Sequence, residues 1–78
     1  MVKWVLYYTK AATQTIYGIP RGPAGEITTA IRSLSIDPRP PGYQTLERPN
    51  TYSMQDTGYT IIYELIEENR IIKILLIE

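Results

Sequence analysis

Hydrophobic and polar positions change their spacing along this chain, and each change predicts a new element. From Val2 to Tyr8 the residues are β-branched and aromatic, with Val2, Trp4, Leu6 and Tyr8 on one side and Lys3, Val5 and Tyr7 on the other. That spacing predicts a strand, mostly buried on both faces. Thr9 suits a helix N-cap, because its hydroxyl accepts from a free first-turn amide. A short helix follows over Lys10–Tyr17, with Ala12 and Ile16 one turn apart, Gly18 at its C-terminal cap and Pro20 as a stop. Beyond a turn-rich link over Ile19–Gly25, Ile27, Ala30, Ile31 and Leu34 recur at helical spacing through Ala24–Ser35. Pro23 fits the first turn of this second helix, where its missing amide costs nothing. The apolar stripe is narrow. A helix this short is not stable alone in water, so the stripe needs a sheet to cover.

Asp37-Pro38-Arg39-Pro40-Pro41-Gly42 ends the second helix, and its three prolines forbid another. The stretch through Pro49 is predicted to be an extended loop. From Thr51 the period becomes two. Thr51–Gln55 reads as a short strand, Asp56-Thr57-Gly58 as a hairpin turn, and Tyr59–Ile66 as a second strand. Glu67-Glu68-Asn69 reads as another turn, with Asn69 in the left-handed conformation, and Arg70–Ile77 as the last strand. The order is β-α-α-β-β-β. Two helices cannot wrap both faces of four strands, so the expectation is a single two-layer α+β domain over residues 1–78. Both helices then pack on one face of a small four-stranded, mostly antiparallel sheet.

The last strand carries that expectation to a surface. Ile72, Ile74 and Leu76 form one apolar face, placed under the helices. Ile71, Lys73, Leu75 and Ile77 form the other. Contiguous apolar side chains left in water mark an interaction site. Ile71, Lys73, Leu75 and Ile77 are therefore the predicted partner-binding residues, on the uncovered face or its edge.

Composition narrows the chemistry. The chain has 78 residues, 44% apolar and 21% charged, a globular balance. It has no cysteine and no histidine, which excludes disulfides, thiolate or imidazole metal sites, and Ser-His or Cys-His catalysis. No metal site and no cofactor are expected. Eight basic and eight acidic residues cancel. Residues 1–50 carry Lys3, Lys10, Arg21, Arg32, Arg39 and Arg48 against Glu26, Asp37 and Glu47, and the rest is acidic by the same margin. A protein that binds phosphate backbones usually shows a clear basic excess, which this chain lacks. No apolar run approaches the ~20 residues of a membrane span, and the opening lacks the basic-then-apolar layout of a secretory signal. A cytoplasmic protein with no membrane partner is expected.

Three segments in register resemble one family. Trp4-Val5-Leu6-Tyr7-Tyr8-Thr9-Lys10-Ala11-Ala12 is similar to its opening strand and helix start. Leu34 to Leu46, with Asp37-Pro38-Arg39-Pro40 and Gly42, is similar to its proline loop. Tyr59-Thr60-Ile61-Ile62-Tyr63-Glu64-Leu65, a turn, then Ile71-Ile72-Lys73-Ile74-Leu75-Leu76-Ile77 is similar to its core hairpin. The family is the RelE/ParE toxins of bacterial toxin–antitoxin pairs, associated with plasmid stabilization. The resemblance implies the same small α+β fold and a cognate antitoxin as partner. RelE-like members cleave ribosome-bound mRNA, with arginines, lysines and a tyrosine that activate the 2′-hydroxyl and steady the phosphate. ParE-like members inhibit gyrase by binding.

Carried over residue by residue, the nuclease set is mostly absent. The basic positions expected after Tyr52 fall on Ser53 and Gln55, and the arginine expected after Tyr59 is Thr60. The family's basic tail has no counterpart, the sequence ending at Glu78. None of these residues supplies positive charge to a transition state, and each such loss costs about 10²–10³ in rate. The resemblance thus implies a toxin-like protein that works mainly by protein–protein binding, to an antitoxin and to gyrase or the ribosome. Two alternatives stand beside it. One is a ribosome-dependent mRNA endonuclease with a rebuilt site of Arg48, Tyr52, Tyr63 and Lys73. The other is a degenerate, non-toxic relative kept as a homodimer. Arg39 and Arg48 also flank the proline loop at positions suited to a phosphate, although exposed charge alone explains them.

Overall fold

The structure, a computed structural model, describes residues 3–78. The elements run β1 (Val5–Tyr8), α1 (Lys10–Gly18), α2 (Arg21–Leu34), β2 (Gln44–Thr45), β3 (Thr51–Asp56), β4 (Tyr59–Ile66) and β5 (Ile71–Ile77). They make one five-stranded sheet of order β1-β5-β4-β3-β2. β1 runs parallel to β5, and the other neighbours are antiparallel. Both helices lie on one face, as the pattern predicts. The strand count is five rather than four, because Gln44–Thr45 pairs with Tyr52 and Ser53 inside the stretch expected to be loop. A turn produces this. Pro41 and Gly42 occupy its central positions, Gly42 has φ +88°, and Tyr43 N–H donates to the Pro40 carbonyl at 3.1 Å.

Local chemistry sets the element ends. Thr9 caps α1, its hydroxyl accepting from Ala12 N–H at 3.2 Å. α2 starts at Arg21, three residues earlier than predicted, with Pro20 as its cap. Pro23 marks no boundary, because first-turn amides have no helical partner to lose. Ile27, Ile31 and Leu34 are fully buried against the sheet, as their spacing requires. β1 begins at Val5, and Val2 lies outside the described residues. In the second hairpin the left-handed residue is Arg70, φ 53°, and not Asn69. Val5 N–H bonds to the Arg70 carbonyl at 2.8 Å, so the entry of β5 is held by β1 as well as by its own turn.

β5 departs most from the two-residue period. Tyr63 pairs with Ile74 and Ile62 with Leu76, so Leu75 is an extra residue, a β-bulge. Past the bulge the sides exchange. Ile72 and Ile74 face the core, and so does Ile77, only 4% exposed, whereas Leu76 is 45% exposed on the opposite side. Ile77 therefore belongs to the core and not to the face predicted to bind a partner, and Leu76 takes its place on the uncovered side. The bulge is anchored by Thr9, whose hydroxyl donates to the Leu75 carbonyl at 2.8 Å. β1 is likewise not buried on both sides, contrary to the expectation for this strand. Val5 and Tyr7 are 62% and 56% exposed, and only the Trp4, Leu6 and Tyr8 side packs on the core.

The exchange of sides has an energetic consequence. Ile77→Ala is expected to destabilise the fold by about 2–4 kcal/mol, as for a buried isoleucine. Leu76→Ala, at the position the plain alternation would bury, should cost less than about 1 kcal/mol. Urea unfolding of the two variants checks this, and the opposite ranking would contradict the bulge.

Candidate functional site

Two surfaces carry the chemistry, one on each side of the sheet. On the helix side, the proline loop is fastened over the tyrosines of β3 and β4. Tyr63 is fully buried, and its hydroxyl donates to the Pro38 carbonyl at 2.9 Å. Arg39 Nη2 donates to the Tyr52 hydroxyl at 3.2 Å and to Glu67 Oε1 at 2.9 Å. Its guanidinium sits 5.3 Å from the centre of the Tyr52 ring. Tyr52 in turn meets Tyr43 edge-on at 5.7 Å and Tyr63 at 5.8 Å. The result is a stack of three tyrosines with one arginine, whose charge Glu67 balances. Arg39 and Glu67 are both exposed, so the ion pair itself adds at most about 1 kcal/mol. The buried hydroxyl and rings contribute more.

Beside this stack, α2, the Pro40–Gly42 turn, β2 and β3 enclose a cleft of about 400 Å³. Ser33, Gln44, Ser53 and Gln55 line it, and its charged group is the Asp56 carboxylate. Two of the positions where the resemblance expects cations, Ser53 and Gln55, border this cleft, but their pairing with Ile62 and Thr60 turns their neutral side chains to the bare side of the sheet.

The other surface is the bare face of the sheet. Register places Val5 beside Ile71 and Tyr7 beside Lys73. Across β4 it places Ile71 beside Ile66, Lys73 beside Glu64, and Leu76 beside Ile62. Lys73 Nζ lies 5.9 Å from the centre of the Tyr7 ring. Where the bulge turns Leu76 outward, Leu46, Arg48, Thr51, Ile62 and Leu75 join it around a shallow apolar groove of about 510 Å³. Of the four predicted partner-binding residues, Ile71, Lys73 and Leu75 lie on this face and Ile77 does not.

The four residues proposed for a rebuilt nuclease site do not converge. Tyr52 and Tyr63 lie on the helix side under the proline loop. Lys73 and Arg48 lie on the bare face, with the sheet between the two pairs. Val5, Tyr7, Leu46 and Leu76 complete the apolar face and were not singled out by sequence. For Val5 and Tyr7 a signal existed, since both share their side of the strand with Lys3. For Leu76 none did, because Ile74-Leu75-Leu76-Ile77 is apolar throughout and has no period to read.

Burial pushes the Tyr63 hydroxyl up to about 12, against the opposing charge of Arg39. Burial raises Tyr8 as well, opposed by Arg32. Tyrosine in an unfolded chain ionises near 10. The folded state therefore favours the neutral phenol, and this contribution is complete below about pH 10 and lost as pH rises toward 12. An absorbance titration of tyrosinate should show a late step near pH 12 that Tyr63→Phe removes. Seven tyrosines titrating together near pH 10 would contradict the buried stack.

No protein-family model and no curated protein sequence matches the chain. Solved structures do. The chain superimposes on a RelE–RelB complex from the archaeon Pyrococcus horikoshii with a TM-score of 0.88 at 18% identity, over 97% of this chain and 93% of that one. It matches the RelBE2 toxin–antitoxin complex of Mycobacterium tuberculosis with a TM-score of 0.86 at 21% identity, over 100% and 92%. It matches the isolated Escherichia coli RelE toxin with a TM-score of 0.84 at 14% identity, over 95% and 81%. The elements, their order and nearly the whole length agree, and this chain has the RelE toxin fold.

Proposed function

We propose that the chain is a toxin-like component of a bacterial toxin–antitoxin pair that acts in the cytoplasm mainly by binding other proteins. The bare sheet face carries this reading. Val5 and Ile71 at one end and Leu75, Leu76 and Ile62 at the other are apolar on the side that the chain's own helices leave open, with Tyr7, Lys73 and Glu64 in the row between them. Apolar side chains grouped on an open face and edged by polar ones mark a binding site. Solved proteins of this fold add support, since RelE from Pyrococcus horikoshii is seen in complex with RelB. The partner proposed here is a small cognate antitoxin, with gyrase or the ribosome as the downstream target.

The chemistry on the helix side supports binding over cleavage. Attack of a 2′-hydroxyl on the adjacent phosphate, with the 5′-oxygen leaving, needs cations aimed at the developing charge. Among the residues that line the cleft beside α2 the one charged group is Asp56, an anion, and Arg39 is engaged by Glu67 and Tyr52. A nuclease built on Arg48, Tyr52, Tyr63 and Lys73 would have to act through the sheet.

Co-expression with the product of the neighbouring small open reading frame tests this. A stable complex is expected, and Val5→Glu with Leu76→Glu should weaken it at least about tenfold by placing carboxylates in the apolar contact. Both positions are exposed, so each change should move folding stability by no more than about 0.5 kcal/mol. Primer extension on translating ribosomes should show no cleavage. A complex indifferent to both substitutions, or mRNA cleavage abolished by Tyr52→Phe, would overturn the proposal.

A further inference from the structure

The cleft between α2 and β3 lies on the opposite side of the sheet from the apolar face, and the binding role proposed for that face leaves it unused. Its walls come from three elements. Ala30 and Ser33 line it from α2, and Glu26 lies one turn earlier on the same helix face. Pro40, Pro41 and Gly42 form the turn opposite, and Met54 and Asp56 project from β3. Ala30 makes the space, carrying only a methyl group where Ile27, Ile31 and Leu34 fill the helix–sheet contact beside it. At about 400 Å³ the cleft is far larger than an ion and within the range of small-molecule sites.

Its polar groups are set to accept. Ser33 gives its hydroxyl proton to the Ala30 carbonyl at 2.7 Å, which leaves its oxygen free as an acceptor. The Thr57 hydroxyl reaches both Asp56 and Glu26 Oε2, the latter at 3.1 Å, and its one proton serves only one of the two carboxylates. The backbone adds another acceptor. Leu46 N–H donates to the Thr51 carbonyl at 3.0 Å and Leu65 N–H to the Asn50 carbonyl at 2.9 Å. Odd positions of β3 therefore turn their backbone groups toward β2, and even positions toward β4. β2 begins at Gln44, opposite Ser53, so the Gln55 carbonyl points to an edge with no strand beside it. Among the described residues no backbone group donates to it. No cation lines the cleft, and Arg39 of the proline loop is held by Glu67 and Tyr52.

We propose that this cleft binds an organic cation with a planar guanidinium head. The head donates to the Asp56 carboxylate and the Gln55 carbonyl, with the Ser33 hydroxyl oxygen as a further acceptor. Its methylene tail lies along Met54, Ala30 and the proline rings. A guanidinium presents its donors in a rigid fork that matches a carboxylate, and it is more weakly hydrated than an ammonium, which suits a partly apolar site. A metal ion is disfavoured, because a hard cation takes about six or more oxygens, and the described residues include no group of three acidic side chains able to hold one. The site is separate from the bare sheet face, so either can fail without the other.

The probe is butylguanidinium, titrated into the ¹⁵N-labelled chain at low salt. The Ser33, Gln55 and Asp56 amides should shift together along one saturating curve. Butylammonium, with the same charge and tail but no fork, should bind at least about tenfold more weakly. Asp56→Asn should weaken butylguanidinium at least about tenfold, and Ala30→Met, which fills the cleft and changes no charge, should do the same. Glu68→Gln, an exposed acid elsewhere, should leave binding unchanged. The two cleft variants act through different groups, so loss of folding in one leaves the other as the test. A capped Gly-Arg-Gly tripeptide separates the sources of such a head. Tighter binding than butylguanidinium at the same amides supports the site as a seat for a protein's arginine, and weaker binding there supports it as a seat for a free small molecule. Absence of saturable shifts, shifts centred on Glu67 and Glu68, equal binding of butylammonium, or affinity unmoved by folded Asp56→Asn and Ala30→Met variants would overturn the proposal.

Discussion

Coverage is the constraint on which this molecule depends. α1 and α2 hold 9 and 14 residues, about 14 and 21 Å of helix. Five strands span about 19 Å across the sheet. The two helices can roof one face of such a sheet and no more. All fully buried large side chains therefore gather on that side, among them Ile27, Ile31, Leu34, Tyr63, Ile72 and Ile74. The other face meets water with whatever the sequence places on it. Here it places isoleucines, leucines, a valine and a tyrosine around Lys73 and Glu64, which makes the uncovered side the chemically distinctive part of the protein.

The bulge at Leu75 ties the two faces together. Without it Leu76 would enter the core and Ile77 would leave it. With it, Ile77 closes the core beside Ile61, and Leu76 joins the outer groove. The extra residue leaves its backbone outside the ladder. Thr9 supplies the missing donor to its carbonyl while its hydroxyl oxygen accepts from Ala12 and starts α1. One side chain thus links the helix start, the bulge and the sidedness of the last strand.

Much of this was legible in the residues. The helix stripes, the Thr9 cap, the hairpins and the one-sided architecture follow from period and turn chemistry acting over a few neighbours. What was not legible depends on distant contacts. Gln44–Thr45 is too short to show a period and is a strand only because β3 lies beside it. Asn69 has the stronger local preference for a left-handed backbone, yet Arg70 adopts it where its carbonyl meets β1. Four consecutive apolar residues conceal the bulge. The same limit applies to the site: Tyr52, Tyr63, Lys73 and Arg48 look alike as candidates in sequence, but only the pleat decides that the first two lie on one side and the last two on the other. Arg39, read as an exposed charge, holds the proline loop to Tyr52 and Glu67.

The central claim is that the side of the sheet left open by the helices is where this protein meets its partner. The structure of the chain bound to the protein it captures tests that claim most directly. The account predicts that Tyr7, Ile71, Leu75 and Leu76 lose their solvent exposure while the cleft between α2 and β3 stays open. A partner seated in that cleft or on the outer surfaces of the helices, with the apolar face still in water, would contradict it.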